Sequence, residues 1–230
     1  MLGIESATAQ VGVAVGGHEG VLASAHSACD RRHAENLTPQ IEFVCQQAGI
    51  SMKEISVVAV DIGPGLFTGL RVGIAAAMAV AYGLGVPMIG VSSLDLGAFA
   101  AAQSRRLIMP CYDARRGEVF TASYRAVPGG VQRISDPSVS TPDELAAELV
   151  ALSQDVLMLG DGAERYLEVF GVLGNVEFAG ANLNYPSARS LVELAHPKAM
   201  REEFVSPSDI DPLYIRLPDA EINWKTRDNS

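Results

Sequence analysis

The stretch from Val72 to Leu94 carries no charged residue. A run of that length can span a bilayer, so its interior decides the class of protein. Gly83-Leu84-Gly85-Val86-Pro87 interrupts it. Glycine and proline so placed end a helix and begin a strand. The stretch therefore reads as a small-residue helix from about Thr68 to Leu84 and a short strand from Val86 to Val91, with no membrane span. That helix carries Leu70, Val72, Ile74, Met78, Val80 and Tyr82 around its whole circumference. A helix apolar on every side is buried on every side. One side faces a sheet, and the other needs a neighbouring helix or a second protein.

The flanking segments alternate in type. Leu37, Ile41, Val44, Cys45 and Ala48 keep helical spacing, and Gly49 is placed to end that helix. Val57-Val58-Ala59-Val60 reads as a buried strand. A helix from Leu94 to Gln103 follows. Further on, Thr141-Pro142-Asp143-Glu144 is a helix start with a capping box. Val156 to Leu159 reads as a strand, Gly160 to Ala163 as a turn, and Pro186 to Ala195 as the last main helix. Alternation of this kind predicts an α/β fold. Phe43 stands opposite Ile41 on a face otherwise made of Gln40, Glu42, Gln46 and Gln47. It reads as an interface anchor or as packing under a loop.

Two stretches resemble each other. Leu2 to Val15 has an apolar strand, Glu5, a turn, then an alternating strand. Leu107 to Tyr124 repeats the pattern around Asp113. In each the acid precedes a valine by six residues. Either hairpins resemble each other by chance, or the chain holds two related lobes, which sets residues 1–104 apart from 105–217. Residues 218–230 read as a polar, mobile tail.

The chain has 17 basic and 27 acidic residues, a net charge of −10. Such a balance opposes a large contact with a nucleic-acid backbone. Cys29, Cys45 and Cys111 are odd in number and widely spaced. They give neither a complete disulfide framework nor a zinc pattern. With no basic, apolar leader at Met1, the expected location is the cytoplasm.

The turn Gly63-Pro64-Gly65 joins a strand to a helix, where backbone N–H groups favour anions. It has neither the lysine of a P-loop nor the spacing of a dinucleotide fingerprint. The plain alternative is that these glycines turn the chain and let the helix approach the sheet.

From here the residues become specific. Gly63-Pro64-Gly65-Leu66-Phe67-Thr68-Gly69-Leu70-Arg71 resembles the Gly-Pro-Gly-Ser-Phe-Thr-Gly-Leu-Arg signature of the TsaB family, also called YeaZ. Arg32-His33-Ala34-Glu35-Asn36-Leu37-Thr38-Pro39, Gly90 to Leu94, Asp113 to Phe120, Tyr185 to Arg189 and Pro212 to Arg216 agree in order. The resemblance implies a two-lobed actin/Hsp70/sugar-kinase (ribonuclease H-like) fold. It also implies a part in making threonylcarbamoyladenosine beside the anticodon of tRNA. In that system TsaD is the metal-bearing catalytic subunit and TsaE is the ATPase. A TsaB-like chain needs no cofactor of its own, and it meets tRNA only within the complex.

TsaD-like proteins carry His-x-x-x-His where this chain has Ser93 and Gly97. None of His18, His26, His33 and His196 has an i, i+4 partner. The resemblance thus implies an inactive paralogue with no catalytic residue and no metal site. Its helices at about 36 to 48 and 68 to 84 would bind TsaD, through His33, Glu35, Leu37, Phe43, Arg71, Met78 and Val80. The same surface could pair two copies of the chain. The first strand has Glu5 where the family usually has aspartate. Glu5, Gly63, Gly65 and Asp113 would then form a vestigial nucleotide pocket. A rival reading is an ATP-dependent enzyme of the sugar-kinase or acetate-kinase class, although such kinases need larger lobes. A metalloprotease lacks its ligand pair.

Overall fold

The computed structural model describes residues 1–28 and 33–215, with the backbone alone for His33. Cys29, Arg32, the His33 side chain, Arg216 and the tail expected at 218–230 lie outside the described residues.

The first lobe opens with three antiparallel strands, β1 (Leu2–Glu5), β2 (Gln10–Gly17) and β3 (Gly20–Ala28). Helix α1 (His33–Ala48) leads to β4 (Val58–Gly63), α2 (Phe67–Leu84), β5 (Met88–Ser92) and α3 (Ser93–Ala100). Among the described residues this sheet runs β3-β2-β1-β4-β5, with β4 and β5 parallel to β1. The apolar residues of β1, β2 and β4 pack against Leu37, Ile41 and Val44 of α1 and Ile74, Ala77 and Ala81 of α2. Helices α1 and α2 end where the glycines predicted, on Gly49 and Gly85, both left-handed.

The second lobe comprises β6 (Leu107–Arg115), β7 (Glu118–Thr121), a hairpin of β8 (Tyr124–Val127) and β9 (Gly130–Arg133), and β10 (Ser138–Ser140). There follow α4 (Pro142–Ala151), β11 (Val156–Leu159), α5 (Asp161–Arg165), α6 (Leu167–Phe170), β12 (Val176–Phe178) and α7 (Ala188–Met200). Its main path runs β10-β7-β6-β11-β12. With β8–β9 set aside as an insertion, this is the strand order of the first sheet, antiparallel and parallel pairs included. The two hairpins are therefore equivalent pieces of two ribonuclease H-like units.

The capping box forms as expected. Thr141 Oγ1 accepts the Glu144 N–H at 3.3 Å, Glu144 Oε2 accepts the Thr141 N–H at 2.8 Å, and Pro142 opens the helix. Thr141→Ala should lower stability by about 1 kcal/mol. Thermal unfolding should then show a melting temperature roughly 2–4 °C lower.

The last helix of the second unit packs on the first sheet, and the last helix of the first unit lies between the two lobes and touches both. Leu94 and Ala98 of α3, with Ala101 just beyond its end, pack with Ile108, Tyr112, Tyr124 and Leu159 of the second lobe. Leu191 and Ala195 of α7 pack with Val57, Ala59, Ile89 and Val91 of the first. The division at residue 104 separates the two sheets but not these helices.

Candidate functional site

Each lobe carries an acid on the first strand of its unit and a second acid on or just after the fourth. Glu5 closes β1, Asp61 lies near the end of β4, Asp113 lies near the end of β6, and Asp161 follows β11. Glu5 has no solvent exposure, Asp61 has 2% and Asp113 has 7%. Glu5 Oε1 accepts the Ala7 N–H at 2.8 Å. Asp61 Oδ1 accepts the Gly63 N–H at 2.8 Å and the Ser93 hydroxyl at 2.7 Å. Asp113 Oδ2 pairs with Arg115 at 3.1 Å and Arg165 at 3.3 Å. Asp161 Oδ1 accepts the Asp113 N–H at 3.0 Å. Burial pushes the Asp161 carboxyl up to about 6, opposed by that N–H.

The glycine turn is packed shut. A Cβ built on Gly65 would lie 2.2 Å from the Ala7 carbonyl oxygen, and Leu66 N–H donates to that same oxygen at 2.7 Å. Gly63 spends its N–H on Asp61. These glycines bring the start of α2 against the β1–β2 turn, the plainer of the two sequence readings. Of the residues expected to line a nucleotide pocket, Glu5, Gly63 and Gly65 belong to the first lobe and Asp113 to the second; Glu5, Gly63 and Asp113 are buried and Gly65 is half-buried.

Ser93 and Gly97 also acquire physical reasons. Ser93 is fully buried and donates to Asp61. Gly97 has no room for a side chain, since its Cβ would lie 2.1 Å from Tyr112 Oη. The Tyr112 ring, 1% exposed, fills the space a larger residue at 97 would need. Among the described residues, no group of three or more His, Cys, Asp or Glu side chains is placed to hold a metal ion.

The second candidate surface is the outside of α1 and α2, which lie side by side. Leu70, Gly73, Ile74, Ala77 and Ala81 form the buried face of α2. Its outer face exposes Phe67, Arg71, Ala75, Ala79 and Tyr82, with Tyr82 59% and Phe43 of α1 50% exposed. This helix meets the length and composition of a membrane span. Its inner face is nevertheless committed to β1 and β4.

The expected contact residues divide. Glu35 and Phe43 are exposed. Leu37 is 2% exposed and belongs to the core, so it supports the surface from beneath. Met78 is half-buried on the outer strip. Val80 is also half-buried, and two helical steps turn it about 200° from Met78, away from that strip. Arg71 is already engaged. Its guanidinium lies 3.9 Å above the Phe67 ring, and its Nε donates to the Tyr214 hydroxyl at 3.2 Å.

Sequence reasoning missed Asp61, Asp161 and Tyr112 as parts of the junction. Asp61 stood in the glycine segment already singled out, and Asp161 in the turn after β11. Their pairing across matched units was the available signal.

A family model described as TsaD, tRNA N6-adenosine threonylcarbamoyltransferase, matches residues 24–224. The protein named tRNA threonylcarbamoyladenosine biosynthesis protein TsaB of Escherichia coli is 28% identical over 229 residues, covering 98% of this chain and 96% of that one. The chain belongs to the TsaD-like family, in its TsaB (YeaZ) branch. The TsaB of Bacillus subtilis is also 28% identical, over 97% of each chain. The solved structure of YeaZ from Pseudomonas aeruginosa superposes with a TM-score of 0.81 at 26% identity, covering 93% of this chain and 98% of that one. The buried acids and the open helical face thus belong to a TsaB-branch chain with the actin/Hsp70/sugar-kinase architecture.

Proposed function

We propose that this chain is a non-catalytic subunit in the biosynthesis of threonylcarbamoyladenosine on tRNA, working in the cytoplasm. It binds a TsaD-type catalytic partner through the outer face of α1 and α2, and a TsaE-type ATPase handles ATP. The proposal takes its pathway from the TsaB relatives. The observation that supports the non-catalytic role is the burial of Glu5 and Asp113, the acids that would face a nucleotide, while a strip on α2 stays exposed. An apolar helix face with an exposed aromatic on the neighbouring helix suits a protein partner. In the absence of that partner, two copies could pair by the same face.

The test is reconstitution of tRNA modification with TsaD and TsaE from the same organism, with and without this chain. Modification should require the chain. Phe43→Asp and Ala75→Arg alter exposed positions and should leave the melting temperature within a degree or so. Each should weaken co-purification with TsaD, with Kd rising about 100-fold or more. Unchanged pairing in both variants would remove the proposed surface. ATP turnover by the isolated chain, abolished in Glu5→Ala, would instead make it an enzyme.

A further inference from the structure

The matched lobes provide an internal control. Both bring an acid on the first strand beside an acid from the fourth. In the second lobe, Asp113 holds Arg115 and Arg165, and Arg115 N–H donates to its Oδ1 at 2.9 Å. In the first lobe, among the described residues, no lysine, arginine or histidine pairs with Glu5 or Asp61. Glu5 Oε1 and Asp61 Oδ1 have their donors. Glu5 Oε2 and Asp61 Oδ2 are buried with no partner. The strands pair in parallel, Ile4 with Val60, so the next step of the register sets Glu5 beside Asp61. Backbones so paired lie about 4.8 Å apart and project their side chains to one face.

Two bare carboxylates so placed, away from water, repel strongly. One proton between them removes the repulsion and gives both orphan oxygens a partner. Asp61 already accepts two hydrogen bonds, so it keeps the charge more readily, and Glu5 Oε2 takes the proton. We propose that Glu5 and Asp61 share one proton, and that this proton stabilises the folded state of the protein.

Burial pushes the Glu5 carboxyl well above the usual carboxylate range, and the charge of Asp61 adds to this against the Ala7 N–H. Burial likewise pushes Asp61 up to about 7, opposed by the Ser93 and Gly63 donors. The titratable groups around the pair are Asp95 from α3, Tyr112 from β6 and, beyond Tyr112, Asp161 from α5. Tyr112 Oη is itself buried without a partner. The other packed elements bring neutral residues. Strand β2 sets Gly12 opposite Glu5, α2 sets Gly69 and Gly73 against Ser6, and α7 sets Ala188, Leu191 and Val192 against Gly3.

Because both carboxyls titrate higher in the folded chain, that chain holds more protons than the unfolded one between about pH 4 and 7. Stability from the Asp61 proton is complete below that window and is lost as the pH rises through about 7, while stability from the shared proton on Glu5 is lost only as the pH rises further, through Glu5's own raised value.

The test is thermal unfolding of the full chain from about pH 5 to about pH 8.5, in wild type and Glu5→Gln. Glutamine copies protonated glutamate, with an oxygen for Ala7 and a donor for Asp61. The two proteins should differ least at the acid end, and the variant should melt about 5 °C higher at the alkaline end. A constant offset across the range overturns the proposal. Asp61→Asn is the second variant, and its gap from wild type should also grow with pH. Failure of both amides to fold overturns the proposal, since each imitates the neutral partner. In the wild type near neutral pH, infrared spectroscopy should show the C=O band of a protonated carboxylic acid, and its absence is equally fatal. A melting temperature that magnesium or calcium raises and a chelator reverses would put a cation between the acids instead.

Discussion

Gly97→His should abolish folding of this protein. The first carbon of any side chain at 97 lies 2.1 Å from Tyr112 Oη and 3.2 Å from Leu159 Cδ1. Tyr112 has little room to retreat, being enclosed with Leu94, Ala98, Ile108 and Leu159. Gly97→Ala alone should cost about 1–3 kcal/mol by overpacking. That corresponds to roughly 2–4 °C of melting temperature per kcal/mol in a chain of this size. An imidazole adds a ring without space and polar nitrogens without partners, so expression of Gly97→His should give insoluble or unfolded protein. Tyr112→Phe removes the colliding oxygen and an unsatisfied buried hydroxyl. The Gly97→Ala/Tyr112→Phe pair should therefore recover much of the loss, with a coupling of about 1 kcal/mol or more. Strict additivity would show that the collision is not the cause.

A fragment ending at residue 104 should fail to fold, even though it holds every strand of the first sheet. Without α7, the face made by Val57, Ala59, Ile89 and Val91 is open to water. Without the second lobe, so is the surface made by Leu94 and Ala98 of α3 and by Ala101 after it. Exposed apolar area costs about 25 cal/mol per Å², and domain stability is only about 5–15 kcal/mol. The fragment should bind ANS, lack dispersed NMR signals and melt without a cooperative transition. A sharp melt would make residues 1–104 a domain in their own right. In the full chain, Leu191→Ala probes the same contact and should cost about 2–5 kcal/mol, read from denaturant unfolding.

The local elements were legible because local rules make them. Thr141 to Glu144 announced a capped helix, Gly49 and Gly85 marked ends, and the spacing of Glu5 and Asp113 pointed to two equivalent hairpins. The specific strand-to-helix string pointed to the family. The junction was not legible in the same way. No periodicity joins Gly97 to Tyr112, or Glu5 to Asp61, because register and lobe packing bring them together across long stretches of chain. The same holds for α7, whose apolar stripe says that it is covered but not by which sheet. Met78 and Val80 stand two helical steps, about 200°, apart, so one strip does not hold both, and the rotation of α2 against its sheet decides which of them faces out. Leu37 was assigned to a contact surface because it lies in a motif, while its helical phase already placed it with Ile41 and Val44 inside.

The packing of α7 on the first sheet sets a timetable for synthesis. Ribosomes emit chain at about 5–20 residues per second. The first sheet is complete in sequence at Ser92, yet the helix that covers it begins at Ala188. For roughly 5–20 s the nascent first half must wait with an uncovered greasy face, a natural client for chaperones. Slowing translation between those two points should lengthen that exposure and raise the share of newly made chains lost to aggregation.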